Sequence, residues 1–364
     1  MSASVATRHP PFCPNPNCAY HRFGGPDWPF VRTGFYPRLT PPHRVQRYRC
    51  RHCRRQFSDQ TFSLTYWLKR SDLLHEIAAG LVGCSGYRQI ARARGCAPTT
   101  VLGQAARLGR HALLFHESHR PRVAEPLVLD SFISFEFSQY SPTAFHIAIG
   151  RRSHFTYGFT DSELRRSGTM RPAQRRRRTT LEGRFGRPDP RATEHDVAAL
   201  LALLCPASQG LELHTDEHRA YPRAVRRLPH LEVDQRTISS RAARTPQNPL
   251  FPINLLDLLI RHSGANHKRE TIAFSKRRQG AIERLWVFLV WRNFVKSFSE
   301  RRRDASPAMR IRILSRRWTL REVFGERLFP GRIPLPERWR QYYERRIATR
   351  FLAANRRHQL RYAF

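Results

Sequence analysis

The order of strand and helix patterns between residues 126 and 237 most constrains what this chain can fold into. Three runs rich in Phe, Ile and Val come first, separated by turn residues, and predict an antiparallel meander. They are followed by an amphipathic helix (194–205), a strand (210–218), a second helix (220–228) and a final strand (231–237). The region is therefore expected to form one five-stranded sheet with helical connections.

Two aspartates lie on the strands that this order brings together. Three strands, helix, strand, helix, strand is the order of a ribonuclease H-like fold, in which the first and fourth strands are neighbours. Asp130 in the first strand and Asp216 at the end of the fourth would therefore meet. Two close carboxylates repel, and burial raises the cost of charging them unless a cation compensates. Alone, Asp130 would be a strand aspartate at a bend and Asp216 a helix N-cap; together they predict a site for Mg2+ (or Mn2+), two ions per active site, with open positions for phosphate oxygens.

A third acid would complete such a site. Residues 276–303 predict a helix that is apolar on nearly every face and therefore buried, and its first acid is Glu283. A lone buried carboxylate is costly unless it is paired or metal-bound. Glu283 is thus either the third ligand, which we favour, or the partner of Arg278 or Arg284. Glu270 is the rival for the third position.

Four of the seven cysteines form two pairs near the N-terminus, Cys13 with Cys18 and Cys50 with Cys53. Each pair fits a tight knuckle turn, and the segment between them alternates like hairpin strands that bring the knuckles together. The spacing predicts one structural Zn2+ held by four thiolates, with no open position for water; unrelated surface cysteines are the alternative. The histidines that could replace a thiolate are His21, His43 and His52.

Residues 71–116 predict three helices, with Gly95 ending the second and Thr99 or Thr100 opening the third. A short helix, a turn and a polar third helix are typical of a helix-turn-helix, whose last helix enters the major groove of DNA. A three-helix bundle that binds nothing is the alternative. The side chains expected to contact DNA are Thr99, Thr100, Gln104, Arg107 and Arg110.

Positive charge is spread through the whole chain. Lys and Arg total 65 against 28 Asp and Glu, a formal net charge of +37. Arginine pairs bidentately with phosphate, so nucleic acid is the leading partner, ahead of a merely basic protein or a coat on anionic membranes. A basic interruption at 161–196 predicts a solvated loop that follows a DNA backbone. Its central arginines are Arg175, Arg176, Arg177 and Arg178.

The longest apolar run, residues 285–291, is far too short to cross a bilayer, for which about 20 residues are needed. The N-terminal residues show no secretory signal pattern. We therefore expect a cytoplasmic, nucleoid-associated protein with neither a membrane partner nor a small-molecule substrate.

Taken together, these parts resemble the DDE transposases of the smallest bacterial insertion sequences, which join a zinc ribbon, a helix-turn-helix and a ribonuclease H-like catalytic domain. The matching stretches are CPNPNC with YRCRHCRRQF, LVLDSF, HTDEHRAYPRA and AIERLWVFLVWRNFVKSFSERRR. The resemblance implies that Asp130, Asp216 and Glu283 form the catalytic triad. It also implies hydrolysis of double-stranded DNA at transposon ends, attack of the freed 3′ hydroxyls on target DNA, and a homodimer or larger assembly that holds both ends.

The resulting expectation is an α+β multidomain chain. Its parts would be a zinc ribbon (10–62), a helix-turn-helix domain (68–118), a ribonuclease H-like α/β catalytic domain with a mixed five-stranded sheet (124–303, with the basic insertion 161–196 and a second insertion 238–270), and a basic aromatic C-terminal tail (304–364). The tail could stack on bases, clamp phosphates or pack on the core. Two other functions stay open: a non-catalytic DNA-binding regulator derived from a transposase, and a nuclease or resolvase that never joins ends.

Overall fold

The computed structural model of the chain describes residues 9–205, 210–268, 271–302 and 305–356. It is an α+β structure with a three-stranded antiparallel sheet and a mixed five-stranded sheet. The strands are β1 (Phe30–Pro37), β2 (Arg44–Cys50), β3 (Gln56–Ser58), β4 (Leu127–Phe135), β5 (Pro142–Gly150), β6 (Thr156–Glu163), β7 (Leu211–Thr215) and β8 (Val233–Thr237). The α-helices are α1 (Ala19–Arg22), α2 (Leu74–Val82), α3 (Tyr87–Ala93), α4 (Pro98–His119), α5 (Pro172–Phe185), α6 (Ala192–Leu204), α7 (Ala220–Arg226), α8 (Phe251–Ser263), α9 (Arg278–Val290), α10 (Pro307–Arg310), α11 (Leu320–Val323) and α12 (Glu337–Tyr343).

The five-stranded sheet has the order β6-β5-β4-β7-β8. The meander β4, β5 and β6 is antiparallel, whereas β7 is parallel to both β4 and β8. Every position of β5 is buried, because helices cover both faces of this apolar strand. The predicted pairing of the first and fourth strands is confirmed, and it places the C-terminal end of β7 beside the N-terminal half of β4.

The predicted helices of the 71–116 region are present as α2, α3 and α4, and they share one hydrophobic core with the sheet. Helix α4 packs along α9. The two backbones approach closely at Gly109, where an added Cβ would lie 2.6 Å from Cα of Glu283. Helix α4 therefore packs closely against α9.

The described part of the C-terminal tail packs on this core, one of the three roles that the sequence left open. Trp339 of α12 is fully buried, and its Nε1 donates to the carbonyl of Phe159 at 3.0 Å. Its ring lies directly over Gly158, where an added Cβ would be 2.4 Å from a ring carbon. It also meets Trp286 edge to face, with ring centroids 5.2 Å apart.

The basic interruption differs from the predicted loop, because it contains the 14-residue helix α5. Pro172 occupies the first turn, the backbone N–H of Arg171 is capped by Gln174 Oε1 at 2.9 Å, and arginine is a good helix former. Arg165 pairs with Glu182 at 2.8 Å and ties the helix to the end of β6. None of its residues is buried, so α5 is a solvent-facing basic helix.

Candidate active site

The register of the parallel pair β4 and β7 places two aspartates side by side. Val128 lies opposite His214, and Asp130 and Asp216 each follow two residues later. Residues two apart in a strand point to the same face, and neighbouring strands are about 4.8 Å apart. The two carboxylates therefore emerge on one face at the C-terminal edge of this strand pair.

The local bonds of the two aspartates leave one oxygen of each for another ligand. Oδ1 of Asp130 accepts the backbone N–H of Ser131 at 2.6 Å and the Tyr221 hydroxyl at 3.1 Å. Oδ1 of Asp216 accepts the backbone N–H of His218 at 2.8 Å. Within the described residues, neither Oδ2 accepts a hydrogen bond. Burial raises the pKa of Asp130, and the negative charge of Asp216 raises it further. The hydrogen bond from the Ser131 backbone opposes this rise.

A further carboxylate, that of Asp257, lies on α8, which packs against β4 and β5. Burial raises the pKa of Asp257 to about 7, and the charge of Asp130 contributes to this rise. Oδ1 of Asp257 is buried and makes no hydrogen bond within the described part of the chain. The positive charges of Arg261 and Arg244 oppose the rise in the pKa of Asp257. Among the described residues, the three aspartates do not form a group with ligand atoms within 4.8 Å of one another, as the cysteines do.

The sequence analysis missed Asp257 because it assigned residues 238–270 to an insertion outside the core. A signal was nevertheless present. Asp257 is the one acid within the apolar helical run FPINLLDLLI, which is the same pattern that drew attention to Glu283. The rival acid Glu270 lies outside the described residues.

Glu283 lies elsewhere, in the layer between α4, α9 and the C-terminal segment. Its Oε1 pairs with Arg345 Nε at 2.9 Å and accepts from Gln279 Nε2 at 3.3 Å. Burial raises its pKa, while the positive charges of Arg345 and Arg110 oppose that rise. Its Oε2 is buried and has no hydrogen-bond partner within the described residues. Its arrangement is thus the arginine-paired alternative that the sequence left open.

The arginine in that pair is not one of the two neighbours expected from the sequence. Arg278 pairs instead with Asp161 at 3.2 Å, and Arg284 Nη2 donates to the carbonyl of Ser85 at 3.0 Å. The partner, Arg345, is 62 positions from Glu283 in the chain (345 minus 283), so only the tertiary fold brings the two together.

A buried hydrogen-bond network supports Asp130 from behind the sheet. Ser131 Oγ lies 3.0 Å from the Tyr221 hydroxyl and 2.7 Å from His146 Nδ1. His146 Nε2 lies 2.6 Å from Ser162 Oγ, which donates to Asp196 Oδ2 at 2.7 Å. Burial lowers the pKa of His146 to about 3, so the ring is neutral.

The direction of these bonds follows from donor counting. Because Ser162 gives its proton to Asp196, its oxygen accepts from His146 Nε2–H, and Nδ1 must then accept from Ser131. The single Tyr221 proton then has two acceptors in reach, Ser131 Oγ and Oδ1 of Asp130, and the charged carboxylate is the stronger of the two. The network therefore fixes the orientation of the carboxylate on β4.

The two residues that follow Asp216 have different roles. Oε2 of Glu217 accepts both the backbone N–H and the hydroxyl of Ser240 at 3.1 Å, so it braces a loop. His218 is exposed, its ring centroid is 5.6 Å from that of Tyr221, and its electrostatic interaction with Asp130 lowers the pKa of that carboxyl. His218 therefore lies at the rim of the carboxylate site.

An open cleft of about 420 Å³ adjoins Asp257, between the outer half of β4 and α8. Its walls combine cations with exposed apolar groups. Arg261 stacks over the ring of Phe132, with its guanidinium carbon 4.5 Å from the centroid, and Lys268 is exposed. Ile133 is 48% exposed and Phe135 is 37% exposed. The cleft offers both charge and stacking surface beside the carboxylates.

The four predicted zinc ligands form a second cluster at the N-terminus. The sulfurs of Cys13, Cys18, Cys50 and Cys53 all lie within 4.8 Å of one another, and those of Cys13 and Cys53 are 3.5 Å apart. Tetrahedral coordination at about 2.3 Å per Zn–S bond places sulfurs about 3.8 Å apart. The cluster therefore fits one Zn2+, and its four protein ligands make the site structural.

None of the three histidines is a member of this four-residue cluster. His21 Nδ1 bonds to the carbonyl of Cys13 at 2.8 Å, and His43 Nδ1 bonds to that of Arg38 at 3.3 Å. His52 Nδ1 lies 3.5 Å from the Cys18 sulfur. These contacts support the cluster from outside it.

The residues expected to contact DNA fall into two groups. Thr99, Arg175, Arg176 and Arg177 are exposed, and Thr100 and Arg178 are partly so. Gln104, Arg107 and Arg110 are buried. Gln104 Nε2 donates to the carbonyl of Arg70 and Arg107 Nη1 to that of Leu64, both at 2.8 Å. Beyond the first turn of α4, the polar side chains of Gln104 and Arg107 therefore form hydrogen bonds within the protein.

A scan of protein-family models gives no match, and a search of curated proteins gives none either. Among solved structures, the chain is similar to the cryoEM structure of a simian T-cell lymphotropic virus intasome in complex with the PP2A regulatory subunit B56 gamma. The identity is 11%, the match covers 72% of this chain and 76% of that chain, and the TM-score is 0.26. Such a superposition does not define a shared fold, so the function depends on the geometry of the site itself. No helix in the described ranges is both long and apolar enough to span a membrane.

Proposed function

We propose that this protein is a metal-dependent DNA strand-transfer enzyme of the DDE transposase type, with Asp130, Asp216 and Asp257 as its three acids. The observation that supports the proposal is the register of β4 and β7, which puts Asp130 and Asp216 on adjacent strands. Asp257 is the third acid of the proposal because it lies on α8 against β4 and the charge of Asp130 contributes to its raised pKa of about 7. The sheet order β6-β5-β4-β7-β8 supports a ribonuclease H-like catalytic domain. The net charge of +37 supports a DNA substrate.

The three carboxylates would hold Mg2+ or Mn2+, two ions per active site, which stabilise the attacking and leaving oxygens of an in-line phosphodiester displacement. Tyr221 and Ser131 hold Oδ1 of Asp130 so that its other oxygen faces the ligand. Arg261 and Lys268 hold the phosphate backbone of a strand in the adjoining cleft. Each group acts by positioning and by charge, the main requirements of phosphoryl transfer.

The chemistry is two displacements at phosphorus. Water first attacks a phosphodiester at the element's end, the P–O3′ bond breaks, and the released 3′ oxygen takes a proton. The 3′ hydroxyl then attacks a target phosphodiester, forming a new P–O3′ bond as the target's own P–O3′ bond breaks. The second step needs both ends of the element held together, so the active form would be a homodimer or larger.

The DNA contacts would come from the N-terminal parts of the chain and from α5. In this proposal residues 10–62 form a zinc ribbon and residues 68–118 a helix-turn-helix, whose exposed Thr99 and partly exposed Thr100 face DNA. The exposed arginines of α5, Arg175 to Arg177, follow the backbone. Gln104, Arg107 and Arg110 have structural roles instead.

Three single variants test the site. Asp216→Asn and Asp257→Asn should abolish Mg2+-dependent cleavage and joining of labelled DNA from the flanks of the coding region, while gel-shift binding persists. Glu283→Gln, assayed at low temperature to preserve folding, should retain both reactions. Parent-like cleavage by Asp257→Asn would remove that residue from the site. A parent protein that binds DNA but never cuts it would be the non-catalytic regulator, and cutting without joining would indicate a nuclease or resolvase.

A further inference from the structure

The three-stranded sheet carries a projecting two-stranded ribbon, formed by β1, β2 and the loop 38–43. The strands pair from Phe30 opposite Cys50 to Pro37 opposite Arg44. The loop is closed by the backbone N–H of Arg38, which donates to the carbonyl of His43 at 2.8 Å. Residues 32 to 35 of β1 are all exposed, and Leu39 at the tip is 100% exposed. Such exposure of a large apolar side chain at the end of a ribbon suits a contact surface.

The ribbon and the knuckle after it carry one sign of charge. From Phe30 to Phe57 there is no Asp or Glu. The arginines of this stretch are Arg32, Arg38, Arg44, Arg47, Arg49, Arg51, Arg54 and Arg55. Six of them are exposed, and in the described structure no carboxylate forms an ion pair with Arg32, Arg44, Arg47, Arg49 or Arg51. The buried arginines near the catalytic sheet are different, since Arg278 and Arg338 both pair with Asp161.

The strand pattern arranges part of this charge in a row. Arg47, Arg49 and Arg51 are exposed and alternate with the buried Tyr48 and Cys50. Alternate residues of a strand are about 6.8 Å apart on the same face. Strand β3 also pairs with β2 from Arg47 to Arg49, so the row lies on the three-stranded base of the ribbon and ends at the zinc knuckle.

Local contacts hold these cations in place. The Arg44 guanidinium lies over the ring of Phe35, 3.9 Å from its centroid, and Arg47 Nη2 donates to the carbonyl of Phe35 at 3.0 Å. The Trp28 indole donates to the Cys50 sulfur at 3.4 Å, and so joins the base of the ribbon to the cysteine cluster. Fixed side chains lose less conformational entropy on binding than free ones.

We infer that this ribbon inserts into the major groove of double-stranded DNA, with the Arg47 and Arg49 side chains on phosphates and the Leu39 side chain against thymine methyl groups. The inference rests on the proposed function for the identity of the partner. The major groove admits a two-stranded ribbon, whereas the minor groove, about 6 Å wide, is too narrow for one. Charge complementarity and the unpaired arginines support DNA over a protein partner.

Methylation interference tests the groove directly, because dimethyl sulfate modifies guanine N7 in the major groove and adenine N3 in the minor groove. The assay uses the full-length Asp216→Asn protein with zinc present and Mg2+ absent, on duplexes tiling the flanking DNA, so no cleavage is needed. Guanine methylation should block binding over a short segment contacted by the ribbon, in addition to any segment contacted by the helix-turn-helix. In the double variant Arg47→Ala with Arg49→Ala, guanine methylation within the ribbon's segment should no longer interfere with binding. The salt-dependence slope of log K should also fall by about 1.8, or 0.9 for each lost phosphate contact.

A matched double variant controls for loss of charge. Arg340 and Arg346 are exposed but already ion-paired, with Glu337 and Glu344. Their joint replacement by alanine should leave affinity and interference unchanged. Leu39→Ala should weaken binding about threefold to tenfold, and replacing thymine by uracil within the segment should weaken the parent but not this variant. Metal content and circular dichroism verify that each variant is folded.

Two results would overturn the inference. One is parent-like interference and salt slope in the ribbon variants, and the other is a footprint at adenine N3 that the ribbon variants remove. Either can occur while the parent still cleaves DNA, and intact ribbon binding can occur in a protein that never cleaves. The outcome is therefore separate from that of the proposed function.

Discussion

The Tyr221 hydroxyl donates a hydrogen bond to Oδ1 of Asp130 across 3.1 Å, and so joins the start of α7 to the middle of β4. Because α7 follows β7 closely in the chain, this bond couples the two strands that carry Asp130 and Asp216. Tyr221 is 2% exposed, and its burial raises the pKa of the phenol well above its ordinary value. The phenol is thus a permanent donor to the carboxylate.

Tyr221→Phe should weaken Mg2+-dependent cleavage about 10-fold to 100-fold, the usual cost of removing a partner that orients a metal ligand. The loss should appear mainly as a higher Mg2+ requirement in a titration of initial cleavage rate, with DNA binding unchanged. Tyr157→Phe is the matched control, since Tyr157 is also 2% exposed and donates to Glu125 at 3.3 Å, away from the site. If both variants changed the Mg2+ requirement for cleavage equally, the role of Tyr221 would be in packing and not in orienting Asp130.

Glu283→Gln should lower the free energy of unfolding by about 3–5 kcal/mol, because it leaves the Arg345 cation without its buried carboxylate. Urea denaturation measures this change. The exposed pair of Arg340 and Glu337 provides the comparison, and Glu337→Gln should change stability little. A Glu283→Gln protein as stable as its parent would show that the ion pair contributes nothing net.

The cysteine cluster should bind about one zinc per chain. Cys50→Ser together with Cys53→Ser should abolish that zinc and unfold the N-terminal sheet, since a unit this small depends on its metal. Atomic absorption and thermal unfolding measure the two effects. Cys84 and Cys96 lie outside the cluster, so the double variant Cys84→Ser with Cys96→Ser should keep its full zinc content. Retention of zinc by the first variant would mean that the metal lies elsewhere.

Acid should destabilise the fold through buried neutral histidines, of which His116 is the clearest. Its Nε2 donates to the carbonyl of Thr156 at 2.9 Å, and burial lowers its pKa to about 3. The unfolded chain takes up the proton below about pH 6.5 and the folded chain does not, so this stability is present above pH 6.5 and is lost as the pH falls toward 3. His116→Gln should flatten the stability curve in this range by about 1.4 kcal/mol per pH unit. His43→Gln, on the exposed hairpin loop, should leave the slope as it is.

Trp339→Ala should cost about 3–5 kcal/mol of unfolding free energy, because the indole is fully buried and bonded to Phe159. Trp67, which is 80% exposed, supplies the matched comparison, and its replacement by alanine should cost less than about 0.5 kcal/mol. Denaturant midpoints for the two variants test whether the C-terminal tail belongs to the core. Similar small losses for both tryptophans would contradict that arrangement.

Local pattern was sufficient to predict much of the five-stranded sheet. Alternating apolar runs predicted its strands, and the order of strands and helices predicted that β4 and β7 are neighbours, so Asp130 and Asp216 were found together. The two cysteine pairs likewise predicted their own cluster, because short knuckles fix where the ligands point. These features depend on chain order and on spacings of a few residues.

Interior packing could not be predicted in the same way. The polar face of α4 suggested DNA contacts for Gln104 and Arg107, yet their donors bind backbone carbonyls of residues 64–70. A polar side chain in a helix is compatible with either a solvent partner or a buried one. The partner is chosen by segments far away in sequence, which periodicity does not reveal.

The third acid shows the same division most clearly. Asp257 and Glu283 each stand as an acid within an apolar helical run, but only for Glu283 was the pattern used to predict a buried carboxylate that needs compensation. Tertiary structure decided which compensation each receives. Helix α8 docks on β4 and brings Asp257 beside Asp130, whereas α9 docks on α4 and meets Arg345. The physical reason is that hydrophobic burial is non-directional, so it requires a helix to be covered without specifying what covers it.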